Sequence, residues 1–510
     1  MTPTTPRSRK GLAVGAACLL ATLTLLVGSA SAGAAPGGRG GPSSNACENR
    51  RNESVAKLLE CMRVEGVREH QQALQDIADE NGGTRAAASP GYDASVEYVA
   101  DLLRAAGYEV TTPSFTFNAF EPVGPSALEQ ITPNPTTYVE DTDFGILDQT
   151  DPGDVTAAVT PVDIQLGLGN TATSGCEPED FAGFPVGNIA LLQRGECTFE
   201  LKVENAAAAG AVGALLFNQG NLDDPSRLDI PPVTLGDSNT SGIPALGLTY
   251  ELGAELSALP GLTMRLFANS SRVLTTSVNV IADSPGGDPE NVILVGAHLD
   301  SVIEGPGIND NGSGTAAILE TALLMARTRT TNQVRFAFWG AEEAGLVGST
   351  RYVESLSEEE HAAIALNLNF DLIGSPNFVR FVYDGDGSAF GLAGPDGSGE
   401  IEALFADFYE DRGLAYEETE IDFRSDYAAF FDTGIPFGGL FTGAEAIKTP
   451  EQQAIYGGTV GEQLDPCYHA ACDTFDNVDL GVLDVNSDSV AFSTFTYATT
   501  PGDELPGATP

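Results

Sequence analysis

A chain of 510 residues with 42% hydrophobic content can bury more than one core, so two folded domains are the starting expectation. Its formal charge of −48, from 72 acidic against 24 basic side chains, repels phosphate backbones and anionic lipid and so argues against nucleic acid or a membrane surface as partner. The acidic excess reads first as solubility, in salt or outside the cell.

Residues 1–32 have the texture of a signal peptide. Arg7, Arg9 and Lys10 precede an apolar run from Leu12 to Val27, and "SASA" closes at Ala32 in the small-x-small pattern of a cleavage site. The run is short for a membrane span and no later stretch is long and apolar enough, so the sequence predicts export and release with no stable membrane anchor. Residues 33–64 read as a linker or N-terminal segment. Of seven cysteines Cys18 leaves with the leader, and the remaining even set, Cys47, Cys61, Cys176, Cys197, Cys467 and Cys472, suggests disulfides in an exported chain. Many connectivities are open, and sequence proximity favours 47–61, 176–197 and 467–472.

A first part spans 65–137. Within it "GYDASVEYVADLLRAAGYEV" sets Val96, Val99, Leu103 and Ala106 on one helical face with Gly107 as a stop, and "YEVTTPSFTF" follows as a strand. Between 138 and 270 the texture turns to Gly, Pro, Asp and short apolar runs. There "GNIALLQRGECTFELKVENAAAAGAVGALLFNQG" reads as strand, turn, Ala-rich helix, strand. No Lys or Ser/Thr stands where a phosphate-binding loop at Gly195 would need one, so the segment reads as structural, or as a lid over substrate.

From 271 to 500, ahead of a short tail at 501–510, apolar strands alternate with helices. "NVILVGA", "QVRFAFWGA", "AIALNLNF" and "IPFGGLF" are near-continuous apolar runs suited to buried central strands, and "SGTAAILETALLMART" is apolar almost all round. The fold class expected is α/β, a mixed, mostly parallel sheet with helices on both faces, plus a small β-rich insert.

The polar residues gather where ligands bind in such sheets, beyond the carboxyl ends of strands. His298 follows the first run, Glu342 and Glu343 the second, and Asp371 the third. Asp310 lies on the loop entering the helix, and His469 arrives in "CYHAACDTFDN", where a Cys467 to Cys472 bridge would hold the loop. Taken singly each has an ordinary reading: a hydrogen-bonded histidine, an Asp in a turn, acids at a helix start. Asp371 is harder to set aside, because a charge closing a buried strand needs a partner. His70 and His361 lack such company and read as structural. Together, two imidazoles and several carboxylates suit zinc and its neighbours, and one shared carboxylate suits two ions roughly 3.5–4 Å apart.

Two resemblances sharpen this. The Gly187–Gly220 stretch resembles the protease-associated domain, a module inserted into secreted and vacuolar peptidases. "GAHLDS", "GINDNGSG", "FAFWGAEEAGLVGS", "NFDLIGSP", "RSDYAAFFDTGIPFGGLFTG" and "CYHAACD" closely resemble the secreted leucine aminopeptidases of metallopeptidase family 28, and their relative vacuolar aminopeptidase Y carries the same kind of insert. The match covers most of 65–135 and 273–495. It implies a zinc-peptidase fold holding two Zn ions, one on His298 and Asp371, the other on Glu343 and His469, with Asp310 bridging. It makes Glu342 the general base and Asp300 a carboxylate that orients the imidazole. Tyr468 becomes a donor to the reacting carbonyl and Arg424 a substrate-binding residue. It also implies a cis peptide between Asp310 and Asn311. The expected enzyme is a secreted, monomeric metallo-aminopeptidase acting on peptide or protein N-termini, with bulky apolar residues such as Leu removed. Calcium is an open second cofactor: "YDGDGS" at 383–388 invites it but lacks the length and acidic terminus of an EF-hand loop, and reads as a turn. Two rivals are a carboxypeptidase or other amide hydrolase on the same scaffold, for which Arg424 would bind a carboxylate, and a non-catalytic receptor-like relative.

Overall fold

A computed structural model describes residue 47 and residues 49–222, 225–231 and 234–508. The expected signal peptide lies outside the described residues. Among the described residues of the N-terminal segment, Cys47 bonds Cys61, both are buried, and the buried Asn52 donates from Nδ2 to Leu324 O at 2.8 Å.

Two helices lead in. α1 (Val64–Glu80) buries Val67, Gln71, Leu74 and Ala78, a spacing of three and four that presents one face to the core. α2 (Pro90–Ala106) starts where Ser89 accepts from Tyr92 N with Pro90 in the first turn, and ends at Gly107, whose φ of 102° suits a residue without Cβ.

The stretch expected as one strand is two. β1 (Glu109–Thr111) and β2 (Ser114–Pro122) are separated by Thr112 and Pro113, and proline has no N–H to continue the ladder. β2 pairs antiparallel with β3 (Ser270–Val278), and this two-stranded ribbon connects the first large sheet to a second sheet. β4 (Val280–Asp283), β5 (Asp288–His298), β6 (Asn332–Trp339), β7 (Ile364–Phe370), β8 (Phe381–Tyr383), β9 (Glu417–Thr419) and β10 (Phe437–Phe441) form the first large sheet together with β1. Its order is β1–β4–β6–β5–β7–β10–β8–β9, with β6, β5, β7 and β10 parallel at the centre. β5 shows why helices flank both faces. Ile293, Val295 and Ala297 enter the cluster formed with α1, α2, α3 (Gly312–Met325) and, after α4 (Ser398–Glu410), α5 (Leu480–Thr499), while Val292 and Leu294 face Trp339, Tyr352 and Phe430 on the other side.

The second sheet also has eight strands and begins at Ala127–Thr132, ahead of the 138 expected for the insert. Its parallel centre is Gly153–Pro161, Ile189–Gln193, Gly213–Phe217 and Ala245–Leu248, with helix Phe199–Ala208 between the second and third, and Cys176 bonds Cys197 beside it. Arg351, beside the first sheet, reaches Asp237 of the insert at 3.2 Å. Among the described residues no helix is long and apolar enough to cross a membrane.

Candidate active site

The residues singled out at strand ends meet in one cleft of about 260 Å³, lined among others by His298, Asp310, Glu342, Asp371, Tyr468 and His469. β5 ends at His298. Its Nε2 lies 3.2 Å from Asp310 Oδ1, 3.3 Å from Asp371 Oδ1 and 3.9 Å from Glu342 Oε2. β7 ends just before Asp371, whose Oδ2 accepts from Ser425 Oγ at 2.7 Å, and Ser425 in turn accepts from Asn369 Nδ2 at 2.8 Å. His469 Nε2 lies 3.0 Å from Glu343 Oε2 and 3.4 Å from Asp310 Oδ2. Asp310 thus stands between the two imidazoles with one oxygen toward each.

Backbone geometry makes this convergence. The Asp310–Asn311 peptide is cis, Asn311 caps α3 by accepting from Gly314 N, and its Nδ2 donates to Phe370 O at 2.8 Å, which ties the loop to the end of β7. Beyond β6 the chain must pass under Tyr92 before reaching Glu342. A Cβ at Gly340 would stand 2.2 Å from Tyr92 Oη and 2.6 Å from Val278 O, so only glycine fits. Asp300 then accepts from Glu342 N through Oδ1 at 3.2 Å and from Glu343 N through Oδ2 at 3.3 Å. Its Oδ1 is also 3.7 Å from His298 Nδ1, and that nitrogen is 3.2 Å from Asp300 O. The Asp300 carboxylate therefore orients both glutamates, while its backbone carbonyl faces the imidazole. Cys467 bonds Cys472 around His469, which adopts a φ of 53° and stacks on Tyr468 with ring centroids 3.8 Å apart. Arg424 donates to Glu445 at 2.7 Å and to Tyr468 Oη at 3.2 Å, at the rim of the same cleft.

Three buried groups near this site were not singled out in the sequence. Arg85 is fully buried and donates to Pro306 O at 2.8 Å, Gly307 O at 2.6 Å and Leu299 O, so it clamps the loop running from His298 to Asp310. Asp473 accepts from Asn309 N at 2.8 Å and Asp310 N at 2.9 Å, one amide on each oxygen. Asp426 is fully buried, and burial, with the charges of Asp371 and Asp300 adding to it, pushes its carboxyl up to about 7 against the pull of His298 and Ser349. Asp473 alone left a hint, four residues after His469, but it is one acid among many.

The electrostatics are those of crowded anions. Burial, joined by Asp310, pushes Glu343 up to about 7, and burial drives Glu342 well above the usual carboxylate range. Burial works the same way on Asp310, but the imidazoles of His298 and His469 outweigh it and hold Asp310 below that range. Burial opposes the protonated form of His469, yet Glu343 and Asp310 push the imidazole up to about 11. Asp310 Oδ2 and Glu343 Oε1 are buried with no hydrogen-bond partner. Nitrogen and oxygen donors in the two sets His298–Asp310–Asp371 and Asp310–Glu343–His469, each within 4.8 Å of one another, fit a pair of divalent cations sharing Asp310.

Comparison with known proteins gives the family. Peptidase family M28 matches residues 279–494 and the PA domain matches residues 155–256. An aminopeptidase of Pseudomonas aeruginosa is 56% identical over 437 residues, covering 86% of this chain and 81% of that protein. Leucine aminopeptidase 2 of Trichophyton equinum is 44% identical over 335 residues, covering 64% of this chain and 65% of its own. The solved aminopeptidase of Aneurinibacillus sp. strain AM-1 superposes with a TM-score of 0.68 at 28% identity, covering 90% of this chain and 98% of that one. With the α/β sheet, the β-rich insert and the cleft at the strand ends already in place, these matches put the chain in peptidase family M28 as a metallo-aminopeptidase with a PA domain.

Proposed function

We propose that this enzyme is a secreted di-zinc aminopeptidase that removes bulky apolar residues, leucine among them, from peptide N-termini. The observation that carries the reading is Asp310, which offers one oxygen to each imidazole at 3.2 and 3.4 Å. His298, Asp310 and Asp371 would hold one zinc, and Asp310, Glu343 and His469 the other. When bound, the pair supplies Lewis acidity toward the attacking water and the scissile carbonyl.

The chain's own groups do the rest. Glu342 is the one carboxylate of the Glu pair outside the closest imidazole contacts, at 3.9 Å from His298, and burial raises its proton affinity. It is suited to take a proton from the attacking water and return it to the leaving amine nitrogen. Burial, then the charge of Asp310, raises the Tyr468 phenol, so it stays protonated and can donate to the carbonyl oxygen as negative charge develops there. Leu372, Phe381, Phe441 and Ala444 give the cleft an apolar wall for the departing side chain, in keeping with the leucine aminopeptidase named among the relatives. Arg424 is held by Glu445 through both terminal nitrogens, so its charge is already matched, which disfavours the carboxypeptidase alternative. Three disulfides support an oxidising, extracellular setting.

The test pairs leucine 4-nitroanilide with its N-acetyl form. The free amine is cleaved, the blocked one is not, and Glu342→Gln loses about 10²–10⁴-fold in kcat with zinc content kept. Equal cleavage of the blocked substrate would overturn the aminopeptidase reading, and near-normal turnover in Glu342→Gln would remove that residue as the base.

A further inference from the structure

The apolar wall of the cleft ends in two carboxylates that neither the metal positions nor the base require. β8 and β9 run parallel, with Phe381 opposite Glu417 and Tyr383 opposite Thr419. Phe381 also pairs with Phe441 of β10, and their rings stack with centroids 5.9 Å apart. Phe381, Tyr383 and Phe441 line the cleft, and so do Glu420 and Asp422, on the chain leaving β9. That chain continues to Ser425, which donates to Asp371 at 2.7 Å. Residues 419–425 therefore run from the edge of the wall to the metal end of the cleft.

Acids on so anionic a chain are ordinarily solvated and mobile, but Asp422 is built into the wall. Its Oδ1 accepts from Tyr427 Oη at 2.9 Å and from Arg424 N at 3.1 Å. The same Tyr427 hydroxyl accepts from Asp422 N at 3.0 Å and Phe423 N at 2.8 Å. Tyr427 is itself fully buried, its ring 4.7 Å from that of Tyr383 and 4.6 Å from that of Phe437. The carboxylate is thus fixed against the aromatic wall, and its Oδ2 makes no hydrogen bond or ion pair among the described residues. Arg424 lies near enough for its charge to act with that of Asp422, but its side-chain donors go to Glu445 and Tyr468. Glu445 is matched in this way, whereas the exposed Glu420 has no ion-pair partner among the described residues.

A wall that is apolar along its length and anionic at its end suits a side chain with the same order of groups. Lysine and arginine have a hydrocarbon stem that packs on aromatic faces and a cationic head that seeks a carboxylate. We propose that Asp422, with Glu420 beside it, is a specificity-determining residue that admits lysine or arginine as the N-terminal residue of the substrate, alongside the apolar ones. The stem lies along Phe381, Tyr383 and Phe441, and the cationic head meets Asp422 Oδ2. The same two carboxylates exclude aspartate and glutamate from that position by like-charge repulsion. This assignment rests on the aminopeptidase reading of the cleft and refines which terminal residues it takes.

The test compares kcat/KM of the full, zinc-saturated chain for lysine and norleucine 4-nitroanilides, which share the same straight stem and differ by the ammonium. In the wild type the lysine-to-norleucine ratio is above about 0.1, and Asp422→Asn lowers it about tenfold, the loss of one charge-assisted hydrogen bond. Asparagine keeps an oxygen for Tyr427 Oη and Arg424 N, so the turn is retained. Glu420→Gln, on an exposed side chain, lowers the ratio about threefold and decides the matter if Asp422→Asn fails to fold. A wild-type ratio below about 0.1, or a ratio within about 1.5-fold of wild type in folded Asp422→Asn or, failing that variant, in Glu420→Gln, would overturn the proposal. Cleavage of leucine and norleucine 4-nitroanilides tests the aminopeptidase reading by itself, so a failed ratio leaves that reading standing, and absence of both cleavages strikes the reading instead.

Discussion

Replacing Arg85 by lysine keeps the buried positive charge and removes the fork that holds three carbonyls. In the native protein the guanidinium donates to Leu299, Pro306 and Gly307, all on the loop that carries Asp300 and leads to Asp310. A lysine can reach one of them, which leaves two buried acceptors unsatisfied at about 1–3 kcal/mol each, or about 2–6 kcal/mol in total. At roughly 2 °C for each kcal/mol, Tm falls by about 4–12 °C. The charge still matters. Burial pushes Arg85 down to about 10, with Asp300, Asp473, Asp310 and Glu343 opposing, so the guanidinium is charged at neutral pH and the ammonium of Arg85→Lys stands in for it. Loss of loop geometry alone should then weaken zinc retention about 10–100-fold, the usual cost of disturbing groups that orient metal donors. Differential scanning calorimetry and zinc competition with a chromogenic chelator measure the two effects. A variant melting within a degree of wild type and keeping its zinc equally well would refute the clamp.

Two further predictions follow from other contacts. Asp300→Asn puts an amide NH₂ where Oδ1 or Oδ2 accepts from Glu342 N or Glu343 N. One charge-assisted bond is lost, about 1.5–3 kcal/mol, so kcat/KM at saturating zinc drops about 10–100-fold; a change under about twofold in nitroanilide kinetics, less than 0.5 kcal/mol, would show that Asp300 orients nothing. In the PA domain, Lys202 is fully buried and donates to Ser174 O at 2.6 Å, and burial lowers its ammonium from 10.5 to about 8. Its folded pKa lies below the unfolded one, so between about 8 and 10.5 the unfolded chain holds the extra proton and stability rises with pH through that window. Lys202→Met should remove this rise from the Tm-against-pH profile, and identical slopes in the two proteins would contradict it.

Periodicity and strand-end position carried much of the fold and the meeting of the polar residues. The apolar runs around Ile293, Phe336, Leu368 and Leu440 are central strands because both of their faces are covered, and that leaves little polar alternation to mislead. His298, Asp371 and the Glu342–Glu343 pair could be placed together because parallel strands deliver their carboxyl ends to one edge. What stayed hidden depends on backbone partners. Arg85 is bonded to carbonyls more than 200 residues away, and a carbonyl looks the same at every position of a sequence. Asp473 matters because it accepts two amides flanking a particular bend, and that fact is not written in residue type. Proline 113 could have split β1 from β2 on chemical grounds, since a missing N–H interrupts any ladder.

The central claim is that Asp310 joins two metal positions. Zinc per chain, measured by plasma mass spectrometry after dialysis against trace-metal-free buffer, tests it most directly. The wild-type protein should hold two zinc ions, and Asp310→Ala, which removes an oxygen from both positions at once, should hold less than one while keeping its fold by circular dichroism. A single zinc in the wild type, or two retained in Asp310→Ala, would contradict the shared carboxylate and with it the two-metal reading of the cleft.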